Sequence, residues 1–422
     1  MTHLTTGPAS DDPADQLRSR RDFLRLAAVA GLGALVAPSI LAACAPATTP
    51  LPSAGALPSA AGTSAPLGRP LRIGYLPITD AAPLLLAKAK GFYQERGLDV
   101  DKPTLFRGWS QIAEAFQAGQ VDVVHLLMPM AVWLRFSSKV PLKVVAWDHT
   151  GGSALTVASS INTVEELAGK TVAIPFWYSI HNVVLQLLLR KAGLSVVTTG
   201  EASAAAKTVK LVVLAPSDMP TGLSNGSIAG YIVADPFNAV AEIQKIGKIL
   251  RFTGDVWLNH ACCVVTASEQ LVAEHPDTVQ SVISAVGAAQ LFAAADRKEA
   301  ARLLSTAGEG YLPQPLPAIE RALSYYDKAE YTASKAIQNA DWPTSRIDFQ
   351  PFPFPTYTQE LVRLLKETKV EGDSAFLGSL DPVQAHAALV DDRFARAAIQ
   401  ALGGPSKFGL SSDLARTEKI QP

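Results

Sequence analysis

Apolar positions along the chain fall into two alternating series of strand-like and helix-like runs. In the first, Leu71–Leu76 is a strand ending at Pro77, and Ala82–Glu95 carries Leu85, Leu86, Ala89 and Phe92 at helical spacing. Gly91 and Gly97 punctuate its end. A strand over Val100–Leu105, a helix over Ser110–Ala118, a strand over Val121–Leu126, a helix from Pro129 and a strand over Leu142–Trp147 follow. The second series opens with Thr163 as N-cap of Val164–Ala168. It continues through strand Thr171–Ile174, helix Ser179–Ala192, strand Val209–Leu214, helix Ser217–Ser224, strand Gly230–Val233, helix Pro236–Ile246 and strand Lys248–Phe252. From Ala261 the pattern is one strand and then mostly helix. Such alternation predicts an α/β protein with two open parallel sheets, one per lobe, joined by crossing strands. Ligands of such sheets bind outside the carboxyl ends of the strands. The residues to inspect are therefore those directly after strands: 77–82, 106–110, 127–130, 148–153, 175–181, 216–219 and 235–238.

The chain has 422 residues, 48% hydrophobic and 18% charged, with 37 basic against 38 acidic side chains. This excludes a disordered or fibrous protein and gives no basic surface for nucleic acid. Cys44, Cys262 and Cys263 are too few for a disulfide scaffold. No CxxC or HExxH spacing, GxSxG, Walker or dinucleotide pattern occurs, so no metal, no cofactor and no catalytic residue is expected.

The N-terminus adds an address. Ser19-Arg20-Arg21-Asp22-Phe23-Leu24 precedes fifteen mostly apolar residues, Leu26–Ile40, and then Leu41-Ala42-Ala43-Cys44. A bilayer span needs about 20 residues, and Gly31, Gly33 and Pro38 weaken this one, so a cleaved export signal fits better. The first motif resembles the twin-arginine signal, and the second resembles the lipobox in which the Cys receives a diacylglycerol. Residues 1–44 are thus read as signal peptide with lipobox, and lipidated Cys44 as the membrane anchor. Residues 45–68, uncharged and with five prolines, are a linker. It spans about 27 Å as a flexible coil and about 70 Å fully extended.

Several turns carry candidate binding residues. Trp109 stands at a strand end, as a lid over a core or a platform for a flat ligand. Phe176-Trp177-Tyr178-Ser179 sets aromatics and a hydroxyl at a helix N-terminus, as a ligand contact or an interlobe packing cluster. Thr150-Gly151-Gly152-Ser153 admits close backbone approach or serves as a hinge. Asp235, before Pro236, either caps its helix or faces ligand. His149, His181 and His260 lie in turns or at strand edges. In a strand, His260 and Cys262 would share one face and Ala261 and Cys263 the other, with the thiols as small buried packing.

Ile73-Gly74-Tyr75-Leu76-Pro77, Ala82-Pro83-Leu84, Ala87 to Tyr93 and Gly97-Leu98 resemble the opening of the nitrate/sulfonate/bicarbonate and thiamine-precursor group of ABC-importer solute-binding proteins. Trp109, Met128-Pro129-Met130, Gly151-Gly152 and Asp235-Pro236-Phe237 extend the resemblance over about residues 70–370. It implies a type II two-lobe periplasmic-binding-protein fold with the ligand cleft between lobes. Lobe one would be residues 69–150 and 255–422, and lobe two residues 151–254. It further implies a monomeric, extracytoplasmic lipoprotein that is not an enzyme and that delivers a small-molecule solute to an ABC permease and its ATPase. The binding residues on this reading are Asp80, Trp109, Met128, Thr150, Gly151, Gly152, Trp177, Tyr178, Ser179, His181, Asp235 and His260. Where the anion-binding branch places a Gln and a His, Gly151 and Pro175 align. That favours a flat organic solute, heteroaromatic or sulfonate-like, over nitrate or bicarbonate. A pyrimidine-synthase-like enzyme and a tethered ligand sensor are the other readings.

Overall fold

Two mixed sheets organise the protein, whose computed structural model describes residues 67–342 and 345–422. The signal segment, Cys44 and nearly all of the linker lie outside the described residues. The first sheet is built from β1 (Ile73–Tyr75), β2 (Thr104–Leu105), β3 (Val123–Leu127), β4 (Leu142–Trp147) and β12 (Cys263–Ser268), in the order β2-β1-β3-β12-β4. The second is built from β6 (Ser153–Val157), β7 (Thr171–Ile174), β8 (Ser195–Val197), β9 (Thr208–Val213), β10 (Gly230–Ala234) and β11 (Lys248–Phe252), in the order β11-β6-β10-β7-β9-β8. A two-residue strand β5 (Thr150–Gly151) pairs with β13 (Ile347–Asp348) from far along the chain.

The sheets are not purely parallel, as the alternation alone would suggest. β12 runs antiparallel to both β3 and β4, and β6 antiparallel to both β10 and β11. The reason is the crossing itself. Strands whose carboxyl ends face the other sheet run toward it, whereas β6 and β12 arrive from it and must run away. The chain crosses at residues 148–152 and again at 253–262, so both crossings join the same two sheets.

Burial explains the strand sequences. All five residues of β3 are buried, as are the first five of β12, and both read as continuous apolar runs broken only by His125 and Thr266. This is the pattern of central strands covered on both faces. Helix Pro276–Ala295, the longest apolar helix described, packs on helices Ala82–Ala89 and Arg393–Ala401. Its apolar composition belongs to the core, and half of its most apolar stretch is buried.

Three sequence expectations differ from the structure. The first predicted helix stops at Ala89, because Gly91 takes a left-handed φ of 74°. Thr163 caps nothing: residues Glu165–Leu167 form only a 3-10 turn, preceded by Val164. No strand was expected between Trp147 and Thr171, yet β6 is there. Gly151 and Gly152 resemble a loop, but they lead directly into its first residue.

Candidate functional site

Both crossings, with the turn after β1, bring polar side chains into one buried cluster between the sheets. The turn supplies Asp80, the first crossing His149, Thr150 and, at its end, Ser153, and the second crossing His260 and Cys262. Cys263 follows at the start of β12, and His181 enters from the first turn of helix Ile180–Lys191. Asp80, His149, His260, Cys262 and Cys263 are fully buried, and His181 nearly so. His149 Nε2 lies 2.9 Å from Asp80 Oδ2. His181 Nε2 lies 2.9 Å from Ser153 Oγ and 3.9 Å from Cys262 Sγ.

Hydrogen bonds fix two tautomers. Thr253 Oγ1 donates to the Ser153 carbonyl at 3.0 Å, so it must accept from His260 Nε2–H at 2.9 Å, leaving Nδ1 as a bare acceptor. His125 Nε2 accepts the Leu76 amide at 2.7 Å, so its proton sits on Nδ1. Burial keeps both rings neutral, each pushed down to about 3. The His149–Asp80 pair behaves oppositely. Burial works against charge on both groups, but their mutual attraction wins: it holds the Asp80 carboxyl below its usual range and pushes His149 up to about 10. The Cys263 amide at 3.2 Å also points at His149 Nε2 and would need its lone pair. Carboxylate and amide compete for that nitrogen, and the proton belongs to the stronger, charged contact.

What the cluster lacks is internal satisfaction. Asp80 Oδ1, His149 Nδ1, His181 Nδ1, His260 Nδ1, Thr150 Oγ1, the His125 Nδ1 proton and the Trp109 Nε1 proton are buried without a partner. So are both Asp148 oxygens, whose carboxyl is pushed well above its usual range by burial. Such atoms cost about 1–3 kcal/mol each when left unpaired, and folded proteins contain few of them. Their concentration here makes this cluster the candidate site.

The remaining candidate residues are distributed around this centre. Trp109 borders it, its ring 5.4 Å from that of His125. Met128 starts a helix, and its amide donates to the Cys262 carbonyl at 2.9 Å. Gly151 and Gly152 both have positive φ, and a Cβ on Gly152 would come within 3.2 Å of the His149 ring. Ser179 caps its helix, accepting the Asn182 amide at 3.1 Å and donating to Phe176 O. Tyr178 stacks on Trp133 at 5.8 Å and donates to the Asp373 carbonyl, which places it in a packing layer with Phe176 and Phe376. Trp177 is half-buried, and its carbonyl accepts from Asn182. Asp235 pairs with the buried Arg346, at 3.0 Å, and its carbonyl accepts from Thr79 of the opposite sheet's turn.

Sequence reasoning missed His125, Asp148 and Arg346, and it put the two thiols on opposite faces. In the structure, regular strand begins only at Cys263. Alternation is therefore not in force at Cys262, and the two sulfurs converge to 3.9 Å. Alignment put Pro175 where a gripping histidine was sought, but the fold delivers His181 from the same strand-to-helix connection.

A profile of the NMT1-like family matches residues 64–307. The chain belongs to the NMT1-like family. Among relatives of this NMT1-like chain, the nitrate/nitrite binding protein NrtA of Nostoc is 25% identical over 240 residues, covering 52% of each chain. The nitrate import ATP-binding protein NrtC of Synechocystis is 29% identical over 229 residues, covering 51% of this chain and 34% of its own. The chain thus spans about half of the one relative's length and a third of the other's. The crystal structure of the periplasmic nitrate-binding protein NrtA from Synechocystis superposes with a TM-score of 0.70 at 18% identity, covering 83% of this chain and 93% of that one. The fold is therefore that of the periplasmic binding proteins.

Proposed function

We propose that the chain is the extracytoplasmic solute-binding component of an ABC importer. On this reading it takes up a small organic solute between the two sheets and delivers it to a permease. Lobe one is residues 69–150 and 255–422, lobe two is residues 151–254, and lipidated Cys44 anchors the monomer to the membrane. The reading draws its class from the family and from the relatives' names, and its location from the unpaired buried cluster.

One observation carries the choice of solute. The unpaired atoms are of both kinds: Trp109 Nε1–H and His125 Nδ1–H can only donate, whereas Asp80 Oδ1 and His260 Nδ1 can only accept. Nitrate offers acceptors alone and would leave the accepting half unmet. A heteroaromatic solute bearing ring N–H and acceptor groups meets both halves and lays a face on Trp109. A sulfonate-like organic solute fits less well for the same reason as nitrate. His181 and Ser153 leave nitrate or bicarbonate as the second reading, since both could hold an oxyanion.

Calorimetry decides between them, with mass spectrometry of co-purified ligand supplying the compounds. Heteroaromatic solutes should bind with quenching of tryptophan fluorescence that Trp109→Ala abolishes and Trp177→Ala leaves in place. Micromolar nitrate or bicarbonate affinity that survives Trp109→Ala would overturn the proposal.

A further inference from the structure

We propose that Asp80, His149, Cys262 and Cys263 form a binding site for a thiophilic divalent cation of the zinc class. The site takes only its place in the cleft from the solute reading. One donor atom from each of the four residues lies within 4.8 Å of all the others, and all four residues are fully buried. Their segments are far apart in sequence: a turn after β1, the first crossing, and the second crossing with the first residue of β12. A local spacing motif could not have revealed the set.

The geometry matches a tetrahedron. Zinc bonds of about 2.3 Å to sulfur and about 2.0 Å to nitrogen or oxygen set a sulfur–sulfur edge of about 3.8 Å and a nitrogen–oxygen edge of about 3.3 Å. The two sulfurs are 3.9 Å apart, and the imidazole–carboxylate contact is 2.9 Å. Small adjustments therefore suffice. The atoms of that contact, Asp80 Oδ2 and His149 Nε2, would face the cation, which takes the place of the proton they share. Gly152 leaves room for the His149 ring, where a Cβ would press at 3.2 Å.

The donor set also selects the metal. Two sulfurs with one nitrogen and one oxygen suit zinc and cobalt, whereas magnesium and calcium require oxygen ligands throughout. The burial of all four ligands means that the cation enters only when the sheets separate at the crossings.

The test uses the full chain, stripped with a chelator, kept reduced with a phosphine and titrated with Co²⁺ without added solute. One equivalent should bind, giving a thiolate-to-cobalt charge-transfer band in the near ultraviolet and the intense visible bands of a tetrahedral site, and Zn²⁺ should displace it stoichiometrically. Cys262→Ser and Cys263→Ser should each weaken the charge-transfer band and lower affinity at least 10-fold, and His149→Gln should lower affinity while keeping that band. Absence of the band in the wild type at excess Co²⁺ overturns the site, whether or not the variants fold. So does a band unchanged in both serine variants. Because no solute is added, this result is independent of the calorimetry that tests the solute.

Discussion

Arg346 is the side chain whose loss should be felt most. Its guanidinium, 1% exposed, holds Asp235 through Nε at 3.1 Å and Nη2 at 3.0 Å, and Glu242 through Nη1 at 2.7 Å. Arg346→Met removes the cation but leaves both carboxylates. Glu242 keeps Arg321 at 3.2 Å, so its loss is partial. Asp235, also 1% exposed, has no second cation among the described ion pairs and keeps only the Ala239 amide at 3.1 Å. Stranding one buried charge in this way costs about 3–5 kcal/mol, a large part of a typical total stability of about 5–15 kcal/mol. Removing the stranded charge as well, in Asp235→Asn/Arg346→Met, should recover most of that. Urea unfolding of wild type, both single variants and the double variant closes the cycle, with a coupling of at least about 1.5 kcal/mol expected. If the double variant loses the sum of the two singles, the pair is not a coupled buried unit, and the reasoning fails.

Other outcomes follow from the same geometry. His125, pushed down to about 3 by burial, is neutral when folded but protonates near 6.5 when unfolded. The unfolded state therefore takes up more protons as pH falls from 6.5 toward 3, and the contribution of this histidine should be flat above that window and cost about 2 kcal/mol by pH 5, with His260, held equally low, adding a similar share. His125→Gln, which keeps an acceptor for the Leu76 amide, should remove this share of the slope in urea titrations at several pH values. Gly152→Ala must adopt a φ of +83° and press on the His149 ring, so solute affinity measured by calorimetry should fall at least 10-fold, and unchanged affinity would detach His149 from the site. Solution scattering should show compaction only with solute, since closure needs a preference for the closed state. Metabolic labelling with a radioactive fatty acid should mark the wild type and not Cys44→Ala; equal labelling would exclude lipidation at that residue.

How much was legible in the sequence depended on how local its cause was. Strands β4, β7 and β11 stand where the apolar runs predicted them, because a buried strand writes its pattern in four to six adjacent residues. The turns after strands were equally legible, and they hold Asp80, Trp109, His181 and Asp235. What could not be read was set at a distance. Arg346 looks like any arginine until Asp235 and Glu242 surround it, and Tyr178 reads as a ligand platform until Trp133 and Phe376 cover it. Cys262 could not be placed because the apolar pattern starts the strand at Ala261, two residues before regular pairing begins at Cys263, and strand alternation holds only where the strand exists.

The crossing topology also dictates an order of events in folding. β12 lies between β3 and β4, which are neighbours in sequence, so the first sheet cannot close until β12 inserts between them. Roughly a hundred residues separate β4 from β12, and closing a flexible loop of that length costs about 4 kcal/mol in chain entropy. Once β6 to β11 have folded, that loop shrinks to two short crossings whose ends are already side by side. The inserted sheet thus acts as a template that presents β12 to its slot, and the parent sheet is the last to be completed. Destabilising β6 or β10 should therefore slow refolding of the whole chain, whereas destabilising the outer strand β2 should mainly speed unfolding.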